Sequence, residues 1–212
     1  MNQKPATIFI GLFFAACCLT GVSCATKIPG DLVEVKKVIP NIVLEIRYAT
    51  TNNFTGKVLY ESDRCFLRRA VADKLRAAQN DFNQLGFGLK IYDGYRPLSV
   101  QKKMWAIYPH EGYVANPAKG SRHNRGAAVD VSLVTLKDKK DVLMPSHYDE
   151  FSERAHRDFT NAPAEAIQDR ALLDGVMKKH GFVGLPTEWW HFDDVNWRQF
   201  EILDIDSSRL KF

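Results

Sequence analysis

The fold of this 212-residue chain is decided by one stretch, Ala127-Ala128-Val129-Asp130-Val131-Ser132-Leu133-Val134. Successive side chains of a strand point to opposite faces, so Val129, Val131 and Leu133 share one apolar face. Asp130 lies on the other face, together with Ala128. The pattern therefore predicts a strand that covers a hydrophobic core on one side and carries a lone carboxylate on the other.

The segments on either side of this strand alternate between helical and extended patterns. Apolar residues recur at helical spacing over 67–85, with Asp63 as the predicted N-cap and Gly86 as the stop. Further helices are predicted at 99–107 and 164–180, and strands at 41–48, 88–92 and 188–193. The loops are too short for crossover helices between all strands. We expect an α+β fold with an antiparallel sheet and flanking helices, formed by a single domain over residues 28–212.

The first 24 residues are predicted to be a signal peptide of the lipoprotein type. Lys4 is followed by an uncharged run over 6–20, which is shorter than the ~20 residues that span a bilayer. Gly21-Val22-Ser23-Cys24 resembles a lipoprotein signal in which Cys24 is lipidated and begins the mature chain. Ordinary cleavage after Ala25 is the alternative, and Cys17 is a weaker lipidation site. We expect export to the periplasm or cell envelope, with membrane contact only through this anchor.

The composition argues against several classes of function. The formal net charge is +4 and no block of Lys or Arg stands out, so a nucleic-acid partner is not expected. Cys65 is the single cysteine after residue 24 and cannot form a disulfide within the domain. It is interpreted as a buried packing residue rather than a nucleophile.

Two segments carry residues suited to metal chemistry, one ending at Asp130 and the other formed by Glu188-Trp189-Trp190-His191. Gly126 can bend the chain so that His123 and Asp130 meet, and His191 adds a third ligand. Two histidines and a carboxylate with an open fourth position are typical of catalytic zinc. A histidine taken alone is more often structural than a ligand, so the spacing leaves both interpretations open.

Two further residues suit hydrolysis beside such a metal. Glu188 precedes His191 by three positions, and a carboxylate there can take a proton from a water that the metal makes more acidic. Arg96 lies in a loop bounded by Gly94 and Pro97, where its guanidinium could stabilise a developing oxyanion. A surface or salt-bridge role for Arg96 is the alternative.

The motif Ser-x-His-x-x-Gly-x-Ala-x-Asp at 121–130, followed by Glu-Trp-Trp-His at 188–191, resembles the zinc D-alanyl-D-alanine dipeptidases. These are related to zinc D,D-carboxypeptidases and to hedgehog-type domains. The resemblance extends over about residues 30–195 and includes 47–57, 92–97 and 148–154. It implies one zinc ion per chain on His123, Asp130 and His191, with Glu188 as general base and Arg96 on the transition state. It also implies that the dipeptide ammonium group is held by Tyr48, Ser121 and Asp149.

The function implied by the resemblance is hydrolysis of D-alanyl-D-alanine to two D-alanines during peptidoglycan turnover or recycling. The segment between Trp105 and Ser121 is shorter than in the resistance dipeptidases, which leaves open a carboxypeptidase or endopeptidase acting on longer stem peptides. A non-catalytic zinc-binding domain that recognises cell wall or protein is the alternative from another class. Pure binding would need neither Glu188 nor Arg96. The sequence leaves the oligomeric state open.

Overall fold

The computed structural model describes residue 1 and residues 32–210, so the predicted signal peptide and Cys24 lie outside the described residues. Two sheets and four α-helices form the described domain. The elements in chain order are β1 (Leu32–Glu34), α1 (Val35–Val38), β2 (Val43–Leu44), β3 (Phe66–Arg68), α2 (Arg69–Gln84), β4 (Phe87–Asp93), α3 (Leu98–Ile107), β5 (Ala128–Thr135), α4 (Ala164–Lys179), β6 (Phe182–Leu185) and β7 (Glu188–Asp194).

The main sheet has five strands in the order β2-β4-β5-β7-β6, and β1 pairs with β3 in a small separate sheet. Strands β4, β5, β7 and β6 pair with one another in antiparallel fashion, as predicted. The short edge strand β2 joins β4 in parallel. The expected α+β fold with an antiparallel sheet and flanking helices is therefore confirmed, with one parallel pair at its edge.

The hydrophobic core lies between the sheet and the helices α2 and α4. Val129, Val131 and Leu133 of β5 are fully buried and share one cluster with Leu75 of α2 and Leu173 of α4. The predicted alternation along β5 is therefore confirmed on its apolar face. The opposite face of β5 carries Asp130, which is also buried. Burial of a carboxylate needs compensating partners, and these are supplied by the site described below.

Several predicted boundaries were wrong. The segment 41–48 forms a strand only at Val43–Leu44 and continues as a turn of 3-10 helix at Arg47–Ala49, which contains the buried Tyr48. Asp63 is not an N-cap, because the chain first pairs with β1 and helix α2 starts only at Arg69. Cys65 directly precedes β3. It is buried and free, as its predicted packing role requires.

Among the residues that the structure describes, no helix is long and apolar enough to cross a membrane.

Candidate active site

All eight residues singled out in the sequence line one pocket. The pocket opens on the face of the main sheet opposite to helices α2 and α4, and its rim includes the loop 111–115. The predicted residues that line it are Tyr48, Arg96, Ser121, His123, Asp130, Asp149, Glu188 and His191. They come from five separate parts of the chain, so only the fold brings them together.

Three buried side chains at the base of the pocket point at a common centre. His123 Nε2 lies 3.1 Å from His191 Nδ1 and 3.3 Å from Asp130 Oδ1, and the last two atoms are 3.0 Å apart. Zinc bound at 2.0–2.2 Å in tetrahedral geometry places its ligand atoms about 3.3–3.6 Å from one another. The three atoms are slightly closer together than this, so small shifts would let them hold the ion.

The ring nitrogens that face away from this centre are both hydrogen bonded. His123 Nδ1 lies 2.7 Å from the carbonyl oxygen of Gly94, and His191 Nε2 lies 2.9 Å from Asp193 Oδ1. An N–H donated at these outer positions leaves a lone pair on each inner nitrogen. Outer hydrogen bonds of this kind are typical of metal-binding histidines. The donor set therefore fits a zinc ion both in spacing and in chemistry.

The charges around the cluster favour a cation at its centre. Burial acts to raise the pKa of Asp130, but the neighbouring His123 and His191 outweigh burial and hold it well below its usual range. Burial acts to lower the pKa of His191, whereas its hydrogen bonds to Asp130 and Asp193 raise it to about 10. Asp130 and Asp193 therefore stabilise positive charge at His191. This charge is a proton on Nδ1 when no metal is bound, and a metal ion at Nδ1 would replace that proton.

Local structure explains how the ligands reach one point. His123 begins a single turn of 3-10 helix that ends at Gly126, whose φ of 65° is left-handed. A side chain at Gly126 would also come within 2.7 Å of Leu32, so glycine is required on both counts. The chain then enters β5, where Asp130 faces His191 of β7 directly across the antiparallel ladder.

Glu188 lies beside the cluster but is not part of it. Its Oε2 is 4.0 Å from His191 Nδ1, and the side chain is buried. Burial raises the pKa of Glu188 to about 8, with His191 opposing and Asp130 adding to the shift. A carboxyl group with this pKa can both accept and return a proton near neutral pH.

Arg96 is buried and held firmly in the wall of the pocket. Asp93 Oδ2 accepts hydrogen bonds from its Nε at 3.0 Å and from its Nη2 at 2.6 Å, and Gln101 accepts one from its Nη1 at 2.8 Å. The guanidinium has five N–H donors, and these bonds use three of them. Of the alternatives for Arg96, the surface role does not hold, because the residue is only 8% exposed, whereas the salt bridge is present, with Asp93 as the partner.

Asp149 forms an anionic corner of the pocket. Its Oδ1 accepts a hydrogen bond from Tyr48 Oη at 3.1 Å, and its Oδ2 accepts one from the backbone N–H of Phe54 at 3.3 Å. Burial, reinforced by the charge of Asp130, raises its pKa to about 7. Ser121 lies elsewhere on the wall, and its Oγ accepts a hydrogen bond from the backbone N–H of His123 at 3.2 Å.

Sequence reasoning missed several residues that support the site. Tyr148 donates a hydrogen bond to Asp130 Oδ2 at 3.0 Å. Asp193 bonds to His191, and Asp93 bonds to Arg96. The aromatic wall formed by Phe54, Tyr113 and Phe151 was also missed. A period of two along β7 could have identified Asp193, because residues 191 and 193 share one face of a strand.

Comparisons with known proteins identify the family of the chain. The profile of peptidase family M15, described as D-ala-D-ala dipeptidase, matches residues 29–202. The chain is 36% identical over 165 residues to the D-alanyl-D-alanine dipeptidase of Escherichia coli, covering 77% of this chain and 84% of the relative. It is 34% identical over 171 residues to that of Enterococcus faecalis, covering 70% and 83%.

Solved structures also align with the chain. The LD-carboxypeptidase LdcB aligns with a TM-score of 0.47 and 19% identity over 81% of this chain and 71% of that one. A vancomycin-resistance D,D-pentapeptidase in complex with Zn(II) aligns with a TM-score of 0.40 and 16% identity over 66% and 78%. By its sequence matches, the chain belongs to peptidase family M15, the D-Ala-D-Ala dipeptidases.

Proposed function

We propose that this protein is a zinc-dependent dipeptidase that hydrolyses D-alanyl-D-alanine to two D-alanines. The observation that carries the proposal is a single pocket that combines a three-residue metal cluster, a buried Glu188 and a buried Arg96 with the separate carboxylate of Asp149. A peptidase needs the first three features, and a substrate with a free ammonium group needs the fourth.

His123, Asp130 and His191 would hold one zinc ion per chain through the three atoms that converge at the base of the pocket. A zinc ion bound there supplies a Lewis acid that polarises a carbonyl oxygen and makes water more acidic. Glu188 is left out of the ligand set, because its nearest oxygen lies 4.0 Å from His191 Nδ1. Three protein ligands leave a position open for substrate, as catalytic sites require.

Glu188 acts as the general base in this proposal. It takes a proton from the attacking water as the water oxygen forms a bond to the carbonyl carbon of the substrate. It then returns that proton to the amide nitrogen as the C–N bond breaks, so the second D-alanine leaves with a neutral amine. The free N–H groups of Arg96 stabilise the negative charge that develops on the carbonyl oxygen.

Asp149 receives the ammonium group of the dipeptide. Tyr48 bonds to the same carboxylate, and Ser121 lines the pocket beside His123. Phe54 and Phe151, whose ring centroids are 5.0 Å apart, line the pocket, and the backbone N–H of Phe54 is bonded to Asp149. A longer peptide would place an uncharged amide against this carboxylate. The arrangement therefore supports a dipeptidase over a carboxypeptidase that acts on stem peptides.

The deciding experiment measures zinc content and compares hydrolysis of D-Ala-D-Ala with that of the same dipeptide acetylated at its amino group. We expect about one zinc per chain and a strong preference for the free dipeptide, since hydrogen bonds to charged groups contribute about 1.5–3 kcal/mol. Equal hydrolysis of both substrates would favour the carboxypeptidase alternative. Stoichiometric zinc without hydrolysis of either substrate would favour the non-catalytic binding domain.

The same proposal places the enzyme outside the cytoplasm, in turnover or recycling of peptidoglycan. The support is the N-terminal sequence, where Lys4, the uncharged run 6–20 and the Gly-Val-Ser-Cys ending at Cys24 resemble a lipoprotein signal. A lipid on Cys24 would hold the catalytic domain at a membrane surface.

A further inference from the structure

Asp193 contacts the proposed zinc ligand His191 at the ring nitrogen that faces away from the metal centre. It lies two residues after His191 on β7, and its Oδ1 is 2.9 Å from His191 Nε2. The other ring nitrogen, Nδ1, is 3.0 Å from Asp130 Oδ1. His191 thus lies between two carboxylates, of which Asp130 belongs to the proposed ligand set and Asp193 does not.

The two histidines of the cluster are held in different ways. The outer nitrogen of His123 bonds to a neutral acceptor, the carbonyl oxygen of Gly94 at 2.7 Å, and the Asp93 carboxylate is farther away at 3.8 Å. The outer nitrogen of His191 bonds directly to the carboxylate of Asp193. Both partners fix a ring orientation and a tautomer. A charged partner also makes the imidazole a stronger electron donor, which a neutral carbonyl does to a smaller extent.

The carboxylate of Asp193 has a second ionic partner. Its Oδ2 lies 3.5 Å from Nε of Arg122, and the guanidinium of Arg122 lies over the ring of Trp197 with 4.7 Å to the ring centroid. The side chain of Asp193 is only 14% exposed. A half-buried carboxylate between two partners has less freedom to move than a free surface group.

We propose that Asp193 is a positioning residue for the metal centre. It keeps the proton of His191 on Nε2, so that Nδ1 presents its lone pair to the metal, and its charge strengthens that nitrogen as a ligand. The inference rests on the proposed function, because it assumes that His191 is a zinc ligand.

The test measures the zinc affinity of the full chain and two variants by competition with a chelator. Asp193→Ala removes both the acceptor and the charge, and we expect zinc to bind about 10–100-fold more weakly. Asp193→Asn keeps an acceptor oxygen without the charge, so its affinity should lie between those of the wild type and the alanine variant. Thermal unfolding of the metal-free proteins shows whether either variant is simply less well folded.

Asp194→Asn is the matched control. Asp194 is the next residue of the same strand, but its carboxylate is paired with Lys74 at 2.6 Å on the other side of β7. This variant should lose stability and keep the zinc affinity of the wild type. An equal loss of affinity in Asp194→Asn and Asp193→Asn would overturn the inference, because the effect would then belong to the strand.

Zinc affinities within about threefold of the wild-type value in both Asp193 variants would also overturn the inference. Residues that hydrogen bond to metal ligands usually change metal affinity by about 10–100-fold. That outcome would leave the proposed function intact, because the wild-type protein would still bind zinc. A wild-type protein that binds no zinc would reject the metal site itself, and the inference would fall with it.

Discussion

At the scale of single residues, the position of Glu188 separates a ligand from a base. The side chain is 6% exposed and lies near His191, yet its oxygen is farther from the ring nitrogen than the ligand atoms are from one another. Burial raises its pKa to about 8. A group that accepts a proton easily but stays outside the metal cluster is suited to proton transfer.

Replacing Glu188 with Gln should therefore abolish turnover and leave zinc bound. The substitution keeps the shape of the side chain and removes its basicity, and loss of a general base typically lowers kcat by 10²–10⁴-fold. Metal content and D-Ala-D-Ala hydrolysis should be measured on the same folded sample. Loss of zinc would make Glu188 a ligand, and normal activity would remove it from the mechanism.

Asp149 should give substrate binding a characteristic dependence on pH. Its pKa is raised to about 7 by burial and by Asp130, so the carboxyl group gains a proton as the pH falls below 7. A neutral Asp149 no longer attracts the substrate ammonium group. We expect KM to rise about fivefold between pH 7 and pH 6, as a single titrating group requires.

The Asp149→Asn variant is the control for this effect. It should have a high KM at every pH in that range, because the amide carries no charge to lose. A wild-type KM that stays constant between pH 7 and pH 6 would show that Asp149 does not hold the ammonium group.

At the scale of elements, alternation and helix-end signals were predictive, and short paired strands were not predicted. Strands β4, β5 and β7 and helices α3 and α4 begin and end within two residues of their predicted bounds. Val129, Val131 and Leu133 alternate along β5, and Pro163 and Gly181 mark the two ends of α4. Strands β1, β3 and β6 have three or four residues each. Such short segments show no readable alternation, and they are extended because a neighbouring strand pairs with them.

The same contrast holds for the candidate site. The three proposed metal ligands were predictable because histidine and aspartate are distinctive residues in a recognisable motif. The groups that hydrogen bond to the outer nitrogens of the histidines were harder to predict. The acceptor for His123 is the backbone carbonyl of Gly94, and every residue has a backbone carbonyl. Tyr148 reaches Asp130 from a loop 18 residues away, a contact that only the tertiary fold determines.

At the scale of the whole molecule, the mature N-terminus decides where the enzyme works. We expect mass spectrometry of protein from its native host to show a chain that begins at Cys24 with a lipid attached. An unmodified chain that begins at Thr26 would keep the export proposal and reject the lipid anchor. A chain that still carries residues 1–23 would reject both.

The pairing of Asp130 with His191 across β5 and β7 has a consequence for how the protein can fail. A slip of one residue between these strands would turn His191 to the opposite face of the sheet and separate it from His123 and Asp130. Zinc therefore stabilises only molecules whose two central strands are aligned correctly. The ion that serves catalysis therefore also favours the correct strand register during folding, because chains with misaligned strands cannot bind it.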